Sequence, residues 1–298
     1  MRPSRLAQAV TAWLGLAGVA LLAGAVARAD DARHVFWEVK GAHNTLYLVG
    51  SVHLLKSGDS ALPPEIQQAY RHSATLVMEL NLNDESANAL TGPTAQSTLL
   101  PEGQSLSQAL GPELYASLLA HSRRLGLPAE AVEHFQPWFA AMVLEQLTLV
   151  QAGYESGAGV DMQLTRSAMA DHKPIVALET MDEQIGFFSH LAPAEQRDFL
   201  RGTLKDLDTA DSDTAAVVRA WQRGDVGELE RLFREERADS PQLMRLLTTD
   251  RNRRWLPRII ALLDDEHDDM VVVGAMHLIG DDGLVALLKR RGYEPVQH

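Results

Sequence analysis

Met270-Val271-Val272-Val273-Gly274-Ala275-Met276-His277-Leu278 is an apolar run that breaks at a glycine and reaches a histidine three residues later. The pattern recurs near the other end of the chain, where Leu46-Tyr47-Leu48-Val49 runs into Gly50-Ser51-Val52-His53-Leu54. A short apolar run bounded by glycine reads as a buried strand of a parallel sheet with a helical crossover behind it. The residues after each copy agree with this. Residues 63–73 and 281–291 have helical spacing with a polar face, and each leads into a second extended run, at 75–80 and 293–296. The chain therefore reads as α/β: a central mixed sheet, two strand–GxxH–helix–strand units near its ends, and a large helical insert over about residues 100–250.

In open α/β sheets, ligands bind beyond the carboxyl ends of the strands. Glycine there lets the backbone turn and lets another group approach closely. If the two strands are neighbours, His53 and His277 converge, and two imidazoles with a carboxylate make a common ligand set for a transition metal. Glu79 is the candidate carboxylate. It closes Leu76-Val77-Met78, where a carboxylate is costly to bury unpaired, and a parallel crossover brings it to the edge that carries His53. Glu179, after Ile175-Val176-Ala177-Leu178, is a second carboxylate at a strand end; it reads equally as a cap for the helix that begins near Met181 and as a member of the site.

Other stretches read more plainly. The Gly-rich loop 153–159 lacks the Lys-Ser/Thr of a phosphate loop, and Asp161 after it suits the N-cap of a helix over 162–171. Residues 137–151 form the most apolar helix, with Trp138 in a core. Residues 89–100 read as loop, and residues 193–242 as solvated helices. Residues 241–263 read as one long helix, with Arg251, Arg254 and Arg258 along one face. These arginines read either as a solvated or dipole-neutralising face near a helix end or, for Arg251, as an anion-positioning side chain at the site, since the helix leads into the second GxxH strand. Asp264-Asp265-Glu266-His267-Asp268-Asp269 lacks the glycine and spacing of an EF-hand and reads as a solvated joint. A serine nucleophile is disfavoured: Ser51 is replaced by Ala275 in the second copy, and no Gly-x-Ser-x-Gly occurs.

The 298-residue chain opens with Arg2 and Arg5, continues with an apolar stretch from about Ala7 to Val26, and reaches Ala27-Arg28-Ala29. This is the pattern of a secretory signal peptide cleaved near Ala29, which implies a periplasmic or secreted product with no later membrane span. There is no cysteine, so disulfides, thiol ligands and a lipid anchor on cysteine are excluded. Removing residues 1–29 takes away three arginines and no acidic residue, so the net charge falls from −13 to −16. This argues against nucleic acid and anionic membrane surfaces as partners.

Taken in order, Gly50-Ser51-Val52-His53, Val77-Met78-Glu79, Gly159-Val160-Asp161, Leu178-Glu179-Thr180 with Gln184, Arg251-Asn252, and Gly274-Ala275-Met276-His277-Leu278 with Gly280 and Gly283 resemble the TraB/GumN family, to which the Tiki proteins are related. The resemblance runs over about residues 35–297 and makes residues 30–298 one domain. It implies an α/β fold with a helical insert, similar to the erythromycin-esterase and haem-binding ChaN superfamily. Tiki members are described as metal-dependent proteases using manganese or cobalt, and TraB-type members are tied to peptide pheromone shutdown. The resemblance thus implies a divalent metal ion, with zinc as a further candidate, held by His53, His277 and Glu79, and a peptide or small-molecule substrate. Glu79 serves as ligand or as general base, with Glu179 the alternative carboxylate and Arg251 and Asn252 assisting. Two other classes stand beside this hydrolase: a non-catalytic envelope binding protein for haem, metal or peptide, and an accessory subunit of an envelope polysaccharide or secretion system.

Overall fold

The computed structural model describes residues 33–59, 61–83 and 92–298. The expected signal peptide lies outside them, as do residues 89–91 of the expected loop. The described chain falls into two units. One holds the sheet and comprises 33–83, 155–178 and 216–298; the other is helical and comprises 92–154 and 179–215.

The sheet has six strands: β1 (Phe36–Lys40), β2 (Thr45–Ser51), β3 (Thr75–Met78), β4 (Ile175–Ala177), β5 (Asp269–Gly274) and β6 (Val296–Gln297). Their order across the sheet is β4-β3-β5-β2-β1-β6. The two GxxH strands, β2 and β5, are parallel neighbours, with Val49 opposite Val272 and Ser51 opposite Gly274. β3 runs parallel on the other side of β5, and β4 parallel beyond it. Every residue of β2 and β5 is buried, as expected of parallel strands covered on both faces. β1 returns antiparallel to β2, and β6 adds antiparallel to β1. The two copies thus end differently: the first crossover places β3 beside β5, whereas the second sends the chain to the far edge.

Helices Pro64–His72, Val160–Ala170, Asp250–Leu262 and Leu284–Arg290 belong to this unit. Proline starts the first of them, where its missing N–H is not needed. Ile66, Leu164, Ile259, Leu284 and Leu288 are fully or almost fully buried, each such side chain contributing about 1.5–3 kcal/mol. The expected single helix over 241–263 is instead a short helix Pro241–Met244, a π turn Arg245–Thr249 and the helix Asp250–Leu262. A π turn shifts the hydrogen-bond ladder by one residue without any residue type that announces it, and such turns are common at functional sites.

In the helical unit, helices Pro112–Arg124, Pro137–Gln151 and Pro193–Asp206 enclose a core around Leu118, Leu144 and Leu200. Trp138 is fully buried there and stacks on Phe188. Within the stretch expected as loop, residues Gly92–Ser97 are helical.

Candidate functional site

The site lies at the carboxyl ends of β2, β3 and β5, within the sheet unit. β2 ends at Ser51, and His53 comes next in a bend. Gly159 packs against that bend so closely that an added Cβ would lie 2.2 Å from the His53 carbonyl oxygen. Glycine is therefore required there, and it lets the Val160 N–H donate to the Val52 carbonyl at 3.1 Å. As a result Gly159, not Asp161, is the N-cap of the helix Val160–Ala170. Asp161 sits in the first turn, with Oδ1 3.2 Å from His53 Nδ1. The expected capping role is replaced by an ion pair.

β5 ends at Gly274, and a one-turn helix, Ala275–Leu278, carries His277. Gly50 makes room for that turn: a Cβ there would lie 2.5 Å from Val35 and 3.1 Å from Ala275 Cα. Glu79 comes directly after β3, and its Oε1 accepts the Gly274 N–H at 2.7 Å. A Cβ placed on Gly274 would find Glu79 Oε1 at 3.4 Å, His53 Nε2 at 3.5 Å and His277 Cδ2 at 3.6 Å. The three side chains thus converge on one small cradle from three neighbouring strands.

Hydrogen bonds fix the tautomer of His277. Asn252 Nδ2 donates to the carbonyls of His277 and Asp282 at 3.0 and 2.9 Å, which leaves Asn252 Oδ1 to accept from His277 Nδ1 at 2.7 Å. The lone pair of His277 is then on Nε2, 3.9 Å from Glu79 Oε1. Arg251 addresses that lone pair through Nη1 at 3.2 Å, and Glu79 Oε2 through Nη2 at 2.6 Å. Its guanidinium lies over the Trp255 ring, 4.7 Å from the centroid, and Trp255 also packs on His277. Of the three arginines, Arg251 is buried, whereas Arg254 and Arg258 are exposed. Arg258 instead donates to the carbonyls of Ala177 and Leu178.

Charge and burial set the proton positions. The His277 side chain is 4 % exposed, and burial, with Arg251 beside it, holds the imidazole down to about 3, so it is neutral. The His53 side chain is 62 % exposed. The Asp161 carboxylate beside it lifts it to about 9, against the repulsion of Arg251. Burial pushes the Glu79 carboxyl up, but His277 (once protonated), Arg251, His53 and the Gly274 N–H outweigh it and bring it to about 2. Since His277 is neutral at pH 7, Arg251 and His53 are the charges that keep Glu79 ionised there.

Glu179 begins the helical unit, buried, and accepts from Gln184 Nε2 at 3.4 Å. It does not cap the next helix: Thr180 does, in a capping box with Glu183. Two site contributors were not legible as such in the sequence: Asp161, whose only signal was its place after the Gly-rich loop, and Trp255, one helical turn beyond Arg251.

Sheet-edge histidines with oxygen partners at Nδ1, a carboxylate between them and a buried arginine define an α/β protein with one polar centre at its carboxyl edge. The chain belongs to the TraB/PrgY/gumN family, whose profile matches residues 35–297. It is 25% identical to the uncharacterized protein YbaP of Escherichia coli (strain K12) over 248 residues, 82% of this chain and 87% of that protein. It is 24% identical to Metalloprotease TIKI1 of Danio rerio, covering 90% of this chain and 64% of that protein, and 24% identical to Metalloprotease TIKI1 of Homo sapiens, covering 85% and 59%. The chain thus spans less than two thirds of these Tiki relatives. No solved structure matches it. Among the described residues, no helix is long and apolar enough to cross a membrane.

Proposed function

We propose that the protein is an exported, metal-dependent hydrolase that cleaves peptide amide bonds. The observation that carries this reading is the convergence of His53 Nε2, Glu79 Oε1 and His277 on the Gly274 cradle. The donor types suit a divalent transition ion, which would have to draw the three side chains to within 4.8 Å of one another: two imidazoles and a carboxylate, with each Nδ1 facing an oxygen, Asp161 on one side and Asn252 on the other. Oxygen partners of this kind orient ligating histidines and raise their basicity. His53, His277 and Glu79 would hold the ion, which when bound supplies Lewis acidity toward the scissile carbonyl and lowers the pKa of water. Manganese, cobalt and zinc all suit this set. The descent shared with the Tiki metalloproteases supports a peptide substrate, and the charged start with Ala27-Arg28-Ala29 supports export.

The roles of the remaining residues come from their contacts. A carboxyl held at about 2 is a poor proton acceptor and a good ligand, so Glu79 binds rather than shuttles protons. Asn252 keeps the His277 lone pair on Nε2. Arg251 carries fixed positive charge into a buried place, where it can hold a substrate carboxylate or the oxyanion. A second reading, a binding protein without turnover, is favoured by Arg251 as well, because its guanidinium already satisfies both His277 Nε2 and Glu79 Oε2. A peptide library incubated with the protein and manganese, cobalt or zinc separates the two. The hydrolase reading expects cleavage that disappears in His277→Ala; metal uptake with no cleavage under any ion leaves the binding reading.

A further inference from the structure

At the other end of β5, about 15–20 Å from the GxxH edge at about 3.3 Å per strand residue, lies the acidic joint that the sequence presents as solvated. It is only partly so. Asp265 and His267 reach solvent, but Asp269, the first residue of β5, is 1 % exposed. One ligand atom from each of these three side chains lies within 4.8 Å of the others. Thr75, opposite Asp269 in the parallel β3–β5 pair, serves the carboxylate through its hydroxyl and backbone N–H. Asp269 Oδ1 is nonetheless buried with no hydrogen-bond partner. A buried carboxylate oxygen left without a donor is costly.

The joint is held in place before any ligand arrives. Asn44 Nδ2, from the turn between β1 and β2, donates to the carbonyls of Leu262 and His267 at 2.7 and 3.0 Å. Asp268 is turned away, accepting the Thr45 N–H at 2.7 Å and the Tyr47 hydroxyl at 3.3 Å. Asp265, His267 and Asp269 are thus left facing one another, with two carboxylates against one imidazole.

We propose that Asp265, His267 and Asp269 form a second cation site, which takes a divalent transition ion and braces the joint between the helix Asp250–Leu262 and β5. The imidazole favours zinc, nickel or cobalt over calcium or magnesium, which prefer all-oxygen ligands. The accessible Asp265 and His267 leave an open side for entry and for water to complete the coordination. This site shares no residue with the GxxH edge and does not depend on the function proposed for that edge.

The test uses untagged protein carrying His53→Ala and His277→Ala, which removes the ligands of the other edge, and zinc as the probe. Calorimetry is expected to find one zinc per chain, and the thermal midpoint is expected to rise with zinc concentration, because the ion binds the folded form. Adding His267→Ala, or Asp269→Asn, is expected to weaken zinc by roughly 100-fold, at or above the loss seen when even an outer partner of a ligand is removed. His267 is exposed, so its variant keeps the fold. In the otherwise wild-type chain, His267→Ala is expected to remove one equivalent of zinc. No zinc in the double variant, or binding that survives both His267→Ala and Asp269→Asn, overturns the proposal.

Discussion

Replacing Glu79 with glutamine removes a negative charge in direct contact with Arg251, while the amide can still accept the Gly274 N–H. Its NH2 group then faces the Arg251 guanidinium, donor against donor. Two routes give the size of the effect. The Glu79 carboxyl is held at about 2 rather than the ordinary 4.5, and its side chain is 14 % exposed. Part of that depression comes from the charge that His277 carries only when protonated, so at roughly 1.4 kcal/mol per pH unit the effect at neutral pH is at most about 3 kcal/mol. Breaking a buried ion pair by removing one partner costs about 3–5 kcal/mol, so the two routes meet at about 3 kcal/mol. At about 2–4 °C per kcal/mol for a chain of this size, Glu79→Gln is expected to melt about 6–12 °C below wild type at pH 7 in the presence of a chelator. The sign with pH is fixed, because the folded-state pKa is depressed. The advantage of wild type is fully present above pH 4.5 and is lost as pH falls toward 2. Thermal denaturation of both proteins at several pH values tests this. Equal midpoints at pH 7, or a gap that does not narrow below pH 4.5, would refute the pairing.

Three further outcomes rest on the same contacts. Arg251→Met removes a guanidinium that donates to His277 Nε2 and Glu79 Oε2; because like charges about 4 Å apart repel by a few kcal/mol in a protein environment, divalent ions are expected to bind about tenfold or more tightly while cleavage falls, and calorimetry showing unchanged affinity counts against a shared position. The raised pKa of His53, about 9, means that a proton must leave before the imidazole can ligate, so metal affinity is expected to rise with pH between about 6.5 and 9 with proton release on binding; a flat profile in buffers of different ionisation enthalpy contradicts this. Asn252→Ala frees the His277 ring and is expected to weaken the ion by about 10–100-fold, which a competition titration against a chelator measures directly.

The arrangement of the sheet was legible because its signals are local and repeated. Apolar runs that end in Gly-x-x-His at both ends of the chain announce two parallel strands, and the alternation before Glu79 announces a third. Arg251 stood out in a basic cluster of an acidic chain and Asn252 through family resemblance, but their orientation did not: a π turn over Arg245–Thr249 precedes them, and no residue type signals it. Asp161 read as a cap because a capping aspartate and an ion-pairing one look alike in sequence. The difference lies in Gly159, which packs on the carbonyl of a residue more than a hundred positions earlier. Asp269 read as solvated because its neighbours are acidic, yet strand pairing with Thr75 buries it. For both aspartates the missing information was a contact between segments more than a hundred residues apart.

The central claim is that His53 and His277 hold one ion together. Elemental analysis of zinc-, manganese- or cobalt-loaded protein tests it most directly, carried out in the His267→Ala background so that the other candidate site does not contribute. One ion per chain is predicted in that background, and none after either His53→Ala or His277→Ala. An unchanged ion count in both variants, or no ion in their parent, contradicts it.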